Sequence, residues 1–181
     1  MVTGEVGAGK STSLRYACAQ LHPSKHKILP VVASNGTIME IYRQIALALN
    51  VEIKSPSITS VTKTIRELLL EIALRKEMPV IVIDEAHIMR LEVFAQLHAL
   101  LQFEFDSRPV APLILAGHNT LNDKLMYHTS RPLASRVVGR SHMDGFKVRD
   151  MQSYLKHHLE IAGIAEQLFA EAAVLALHQP K

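Results

Sequence analysis

Two short stretches carry residue types that can do chemistry together. The first, GEVGAGKS at Gly4 to Ser11, fits the spacing G-x-x-x-x-G-K-[ST]. In such a loop Gly4, Gly7 and Gly9 let the backbone turn tightly, so that its N–H groups converge on phosphate oxygens at the positive end of the following helix. The phosphate-holding stretch is therefore Gly4, Glu5, Val6, Gly7, Ala8, Gly9, Lys10, Ser11 and Thr12. Lys10 is expected to reach the β and γ phosphates and the Ser11 hydroxyl to hold Mg²⁺, while Thr12 is read as a helix residue with no metal role. The second stretch, VIVIDEAHIM at 80–89, drives an apolar run straight into Asp84 and Glu85. Two carboxylates there are costly by themselves and make sense opposite a Mg-nucleotide. Asp84 would hold the metal shell, and Glu85 would polarise a water for in-line attack on the γ phosphate.

The adjacent acids favour hydrolysis over phosphoryl transfer, because in a small-molecule kinase the nucleophile is the substrate itself. LNDKL at 121–125 is not the N-K-x-D base-reading motif of GTPases. His87 completes DEAH, but a helicase of that class needs two such domains, so His87 is read as a residue that starts the next helix. LILAGHN at 113–119 brings two further polar side chains, His118 and Asn119, to the end of an apolar run. If that strand lies between the other two motifs, either residue could sense the γ phosphate; Asn119 could equally cap the helix that follows. In LASRVVGR, Arg136 and Arg140 follow a short helix. One of them could project into a neighbouring subunit's site as an arginine finger, and a surface salt bridge is the competing account.

These residues need elements to position them. Short apolar runs at 28–33, 80–83 and 112–116 read as buried strands, with a weaker one at 142–146. They alternate with helical periods at 10–21, 37–49, 60–76, 91–103 and 119–127, the pattern of an α/β domain with a largely parallel sheet. In the third helix Val61, Ile65, Leu68, Leu69, Ile72 and Ala73 share one face, with Ser57, Thr59 and Ser60 as cap candidates. After about residue 147 the strands stop, and helices at 149–162 and 165–178 follow, broken at Gly163. The expected division is a core over 1–147 and a partial helical lid over 148–181.

The 181 residues suffice for one ordinary domain, and 48% of them are hydrophobic. No apolar run approaches the roughly 18 residues needed to cross a bilayer, and the N-terminus has no signal-peptide pattern. A cytoplasmic location without membrane contact within this chain is the expectation. The single cysteine, Cys18, excludes an internal disulfide framework and reads as a small core residue. The ten histidines are scattered and form no H-E-x-x-H or Cys/His spacing. The net charge of +3 is uneven: Lys124 to His158 holds seven basic residues against two acids, an excess of five, which leaves the rest at −2. That permits a polyanion partner, and a solvated face is the alternative.

With these residues in place, GEVGAGKS, VIVIDEAH, LILAGHN, LASRV and MQSYLKHHLEIAGI resemble an AAA+ ATPase of the ExeA-like type, close to origin-recognition ATPases. Within that group the chain is similar to the ATPases that accompany Mu-type and related transposases, and to type II secretion assembly ATPases. The resemblance implies a P-loop NTPase core, a parallel five-stranded sheet of order 5-1-4-3-2, ATP and Mg²⁺ as cofactors, and a homo-oligomer. It implies duplex DNA and a transposase as partners of an ATP-driven switch. The alternatives are an assembly ATPase acting on protein or cell-wall partners, and a module that holds nucleotide without turnover. It also implies features outside this pattern. The family's first strand is represented only by Met1, Val2 and Thr3, with no adenine-holding segment ahead of it, and no G-x-P-R arginine follows the lid helices. Where relatives often carry Gly-Gln-Pro, this chain has Gly117, His118 and Asn119. A piece of a longer protein is therefore the expectation.

Overall fold

A computed structural model describes residues 1–104, 109–164 and 168–178. Its contacts divide the chain into two units, Met1–Met143 and Asp144–Lys181.

The first unit is built on five parallel strands: β1 (Val2–Gly4), β2 (His26–Val32), β3 (Met78–Asp84), β4 (Leu113–Gly117) and β5 (Ser141–Met143). Their order is β2-β3-β4-β1-β5, the implied order read from the other edge. β3 is flanked on both sides, with Ile81 beside Leu29 of β2 and Leu113 of β4. That position explains its composition. A parallel strand covered on both faces needs apolar side chains at consecutive positions, and Pro79 through Ile83 are all buried. Ile81 and Ile83 join one cluster and Val80 and Val82 the other, so alternation within a continuous apolar run seals both faces. Pro30 sits within β2, which is an edge strand, where a missing N–H leaves no ladder bond unmade.

The larger cluster lies under α2 (Ile38–Ala48), α3 (Ile58–Leu74) and α4 (Leu91–Leu101). Ile41, Tyr42, Ile45, Ile65, Leu69, Phe94 and Leu97 all carry 2% exposure or less there. Of the three cap candidates Ser57 is the one used: its hydroxyl accepts from the Ser60 N–H, and α3 starts two residues ahead of the expected 60. The smaller cluster contains Leu14 of α1 (Lys10–Ala19), with Val80, Val82 and Ala116, and Cys18 packs at its margin. Burial raises the Cys18 thiol above its ordinary value. α5 (Thr120–Met126) and α6 (Arg131–Ala134) connect β4 to β5.

The second unit contains α7 (Val148–Ile161) and α8 (Glu171–His178). Asp150 accepts from the Lys147 N–H ahead of α7, and His178 makes a 2.7 Å hydrogen bond to the Phe146 carbonyl. The expected helix at 165–178 begins outside the described residues. Among the described residues no helix is long and apolar enough to cross a membrane.

Candidate functional site

In a parallel sheet every strand delivers its C-terminal residue to the same edge, and ligands sit in the crevice beyond it. Here β1 ends in the glycine loop, β3 ends at Asp84, and β4, lying between them, ends at Gly117 just before His118 and Asn119. The three motifs share that edge, and a cavity there of about 300 Å³ is lined by residues of each, among them Gly7, Lys10, Ser11, Glu85, His87 and His118.

The loop glycines serve for two different reasons. Gly7 and Gly9 have φ of +82° and +83°, the left-handed region that side chains resist. Gly4 is not such a turn residue, which corrects the sequence reading. A Cβ at Gly4 would stand 2.3 Å from the Met143 carbonyl oxygen of β5, so only glycine lets the neighbouring strand pass.

Lys10 is 7% exposed, and its ammonium donates to the Gly4 and Glu5 carbonyls at 2.9 and 2.8 Å. The Ser11 hydroxyl donates to Asp84 Oδ2 at 2.5 Å, while Asp84 Oδ1 accepts from the Glu85 N–H at 2.9 Å. Both oxygens of Asp84 are thereby oriented, and the Ala33 N–H bonds to the Asp84 carbonyl at 2.9 Å to hold its backbone in line with β2. Ser11 and Asp84 present two hard oxygen donors in direct contact, a set that suits Mg²⁺. Among the described residues no group of three or more His, Cys, Asp or Glu side chains is placed to hold a metal by itself. Val6 is 89% exposed, and Thr12 is an exposed residue of α1.

Glu85 adopts φ 55° and ψ 29°, a left-handed conformation costing a non-glycine residue about 1–2 kcal/mol. The chain turns there into a 3₁₀ turn at Ala86–Ile88, leaving the Glu85 side chain 44% exposed at the crevice. His87 is the middle residue of that turn and does not start the next helix, which begins at Leu91; its ring belongs to the site. Its Nδ1 is 3.2 Å from Glu85 Oε2, an ion-pair distance not aligned as a hydrogen bond. The ring lies 5.8 Å from that of His118. Gly117 makes the room, since a Cβ there would lie 3.0–3.2 Å from the backbone N, Nδ1 and Cβ of His87. The sequence signal was available: a glycine ending a buried strand marks a close approach.

His118 and Asn119 both turn toward the glycine loop. His118 Nε2 is 3.0 Å from Glu5 Oε2, and Asn119 Nδ2 donates to Glu5 Oε1 at 2.6 Å. Asn119 stands at the start of α5 but makes no side-chain cap bond, so the capping alternative is not realised. Nothing in the local sequence pointed to Glu5 as their partner. α5 is tied back to the acidic turn by Lys124, whose ammonium donates to the Met89 carbonyl at 2.6 Å; burial lowers its pKa. Arg136 is exposed and lies away from these residues. It lines a cavity with Met1, Pro112 and Gly139, at the opposite ends of β1 and β4. Arg140 is likewise exposed.

A family model described as an AAA domain matches residues 1–125. General secretion pathway protein A of Aeromonas hydrophila is 27% identical over 180 residues, 99% of this chain and 33% of that protein. The chain thus spans about a third of the length of that curated relative. Among solved structures it is similar in fold to Cdc6p from Pyrobaculum aerophilum, with a TM-score of 0.71 at 18% identity over 96% of this chain and 45% of that one. It is also similar in fold to the Aeropyrum pernix ORC1 protein in complex with DNA, with a TM-score of 0.67 at 16% identity over 88% and 43%.

Proposed function

The chain belongs to the AAA domain family, and on that premise we propose that it binds ATP with Mg²⁺, hydrolyses the γ phosphate and acts as an oligomeric switch. The observation that carries this reading is the 2.5 Å contact between Ser11 and Asp84, residues from two motifs 73 positions apart, with Ser11, Lys10 and Glu85 lining one cavity. Ser11 and Asp84 would hold the cation, which when bound supplies positive charge against the β and γ oxygens. The Lys10 ammonium would exchange its two carbonyl partners for phosphate oxygens, a stronger charge-assisted pairing. Glu85, with a half-exposed carboxylate at the crevice, would accept the proton of the attacking water. His118 or Asn119 would sense the γ phosphate. Arg136 has no route to this site in its own subunit, so its role as a finger requires a neighbouring copy.

For the biological role, the secretion-pathway relative supports an assembly ATPase acting on protein or cell-wall partners, and that reading takes precedence over transposition. A DNA-assisted role with a transposase is the second reading, motivated by the basic excess between Lys124 and His158. One of those charges, Lys124, is turned inward onto Met89. The test is Mg-dependent phosphate release from ATP, with and without duplex DNA, for the native chain and Glu85→Gln. The amide keeps the shape and loses the base, so turnover should fall about 10²–10⁴-fold with nucleotide binding retained. Unchanged turnover would refute the assignment of Glu85, and stimulation by DNA that vanishes in the variant would move the role to the second reading.

A further inference from the structure

The side-chain donors expected to meet the β and γ phosphates, Lys10, His118 and Asn119, are all engaged by the glycine loop, and Glu5 supplies most of the acceptors. The Glu5 carbonyl accepts from Lys10 at 2.8 Å, and the two Glu5 carboxylate oxygens engage His118 at 3.0 Å and Asn119 at 2.6 Å. The same carbonyl accepts from the Ala8 N–H at 3.2 Å, so the backbone of Glu5 is pinned within the loop while its side chain reaches across to β4's end. The carboxylate also decides how Asn119 is turned. An amide oxygen facing Glu5 would be repelled, so the NH₂ group faces it, and Asn119 Oδ1 is left buried without a hydrogen-bond partner. His118 is placed the same way, with Nε2 on Glu5 and Nδ1 3.3 Å from Thr120 Oγ1 at the first turn of α5.

A fixed carboxylate among phosphate-binding groups has a definite consequence. It is an anion of the chain's own that holds the donors a γ phosphate would need. On the nucleotide reading, a diphosphate would leave that arrangement in place, whereas a triphosphate would draw His118 or Asn119 away from Glu5.

Resting on the nucleotide reading above, we propose that Glu5 is a specificity-determining residue whose carboxylate competes with the γ phosphate for His118 and Asn119. The exchange sets the preference between triphosphate and diphosphate. The contact to Thr120 and the Lys124–Met89 bond place α5 and the Glu85 turn next to the exchange, so the release of Glu5 is felt at both.

The experiment measures the dissociation constants of ADP and of a non-hydrolysable ATP analogue, with Mg²⁺, for the full chain, Glu5→Gln and Glu5→Ala. Both variants are then repeated in a His118→Ala/Asn119→Ala background. Neutralising Glu5 frees the donors, so preference for the triphosphate should rise roughly tenfold, the scale of one hydrogen bond to a charged group. In the background lacking the donors the same substitution should leave the preference within about twofold, because no competition remains. An unchanged preference in the native background, or an equal rise in both backgrounds, would overturn the proposal, the latter by showing only through-space repulsion. Glu5→Ala guards against residual hydrogen bonding by glutamine, and unaltered circular dichroism confirms that each variant is folded. If the native chain binds neither nucleotide, it is the reading of the site that fails, a result distinct from either of these.

Discussion

The Gly4→Ala substitution separates the two explanations for a glycine in the phosphate loop. A methyl group at Gly4 would stand 2.3 Å from the Met143 carbonyl oxygen, with the Met143 carbonyl carbon and Cβ both at 3.2 Å. Ordinary contact begins near 3.4 Å, so β5 must retreat by about 1 Å. It cannot do so freely. β5 is three residues long and every one is paired with β1, at Val2↔Ser141, Thr3↔His142 and Gly4↔Met143. Retreat therefore breaks one or two ladder hydrogen bonds, at about 0.5–1.5 kcal/mol each. Overpacking adds about 1–3 kcal/mol, for a sum on the order of 1.5–6 kcal/mol. Gly7→Ala is the control: nothing lies within 4 Å of its Cβ, and only its φ of +82° is unfavourable, at about 1–2 kcal/mol. Urea denaturation followed by circular dichroism gives both values. The expected order is Gly4→Ala below Gly7→Ala in stability, with β5 loosened in hydrogen exchange. A Gly4→Ala variant within about 0.5 kcal/mol of the native chain would refute the close-approach argument.

Two further outcomes follow from the packing. The Tyr42 hydroxyl donates to the Gln96 carbonyl at 3.2 Å from a side chain 2% exposed, so Tyr42→Phe should cost about 0.5–1.5 kcal/mol of unfolding free energy in the same denaturation assay. A loss below a few tenths would show that bond to be dispensable. Burial raises the Cys18 thiol above its ordinary 9.0, so the folded chain holds its proton where the unfolded chain begins to release it. Iodoacetamide should therefore modify Cys18 more slowly in the folded chain than in urea at pH 8–9, with the folded rate profile displaced to higher pH. The matching stability is present below pH 9 and is lost as pH rises toward the folded value. Coincident rate profiles would refute the shift.

Much of this molecule was legible one element at a time. GEVGAGKS and the Asp84–Glu85 pair could be picked out because the backbone geometry they require is local: glycines for tight turning at Gly7 and Gly9, and an apolar strand to carry the acids. The apolar run of β3 foretold a strand buried on both faces, and Ser57 was one of three cap candidates for α3, which starts at Ile58, two residues before the expected 60. The three-residue strands β1 and β5 were the hardest to read. With so few side chains they carry little periodicity, and they exist because β4 and each other supply the hydrogen bonds.

The partnerships across the site belong to a different level. Glu5 lies 113 and 114 positions from His118 and Asn119, and they meet because the sheet order inserts β4 between β1 and β3. Gly4 reads as a turn residue until β5 is seen passing beside it, and His87 reads as a helix starter until Gly117 is seen making room for its ring. The sequence by itself determined which chemical groups this chain brings to the edge of its sheet, because strand direction and residue type are local properties. Only the tertiary structure decided which donor meets which acceptor there, because hydrogen bonds are settled at about 3 Å by neighbours that the chain reaches through its topology.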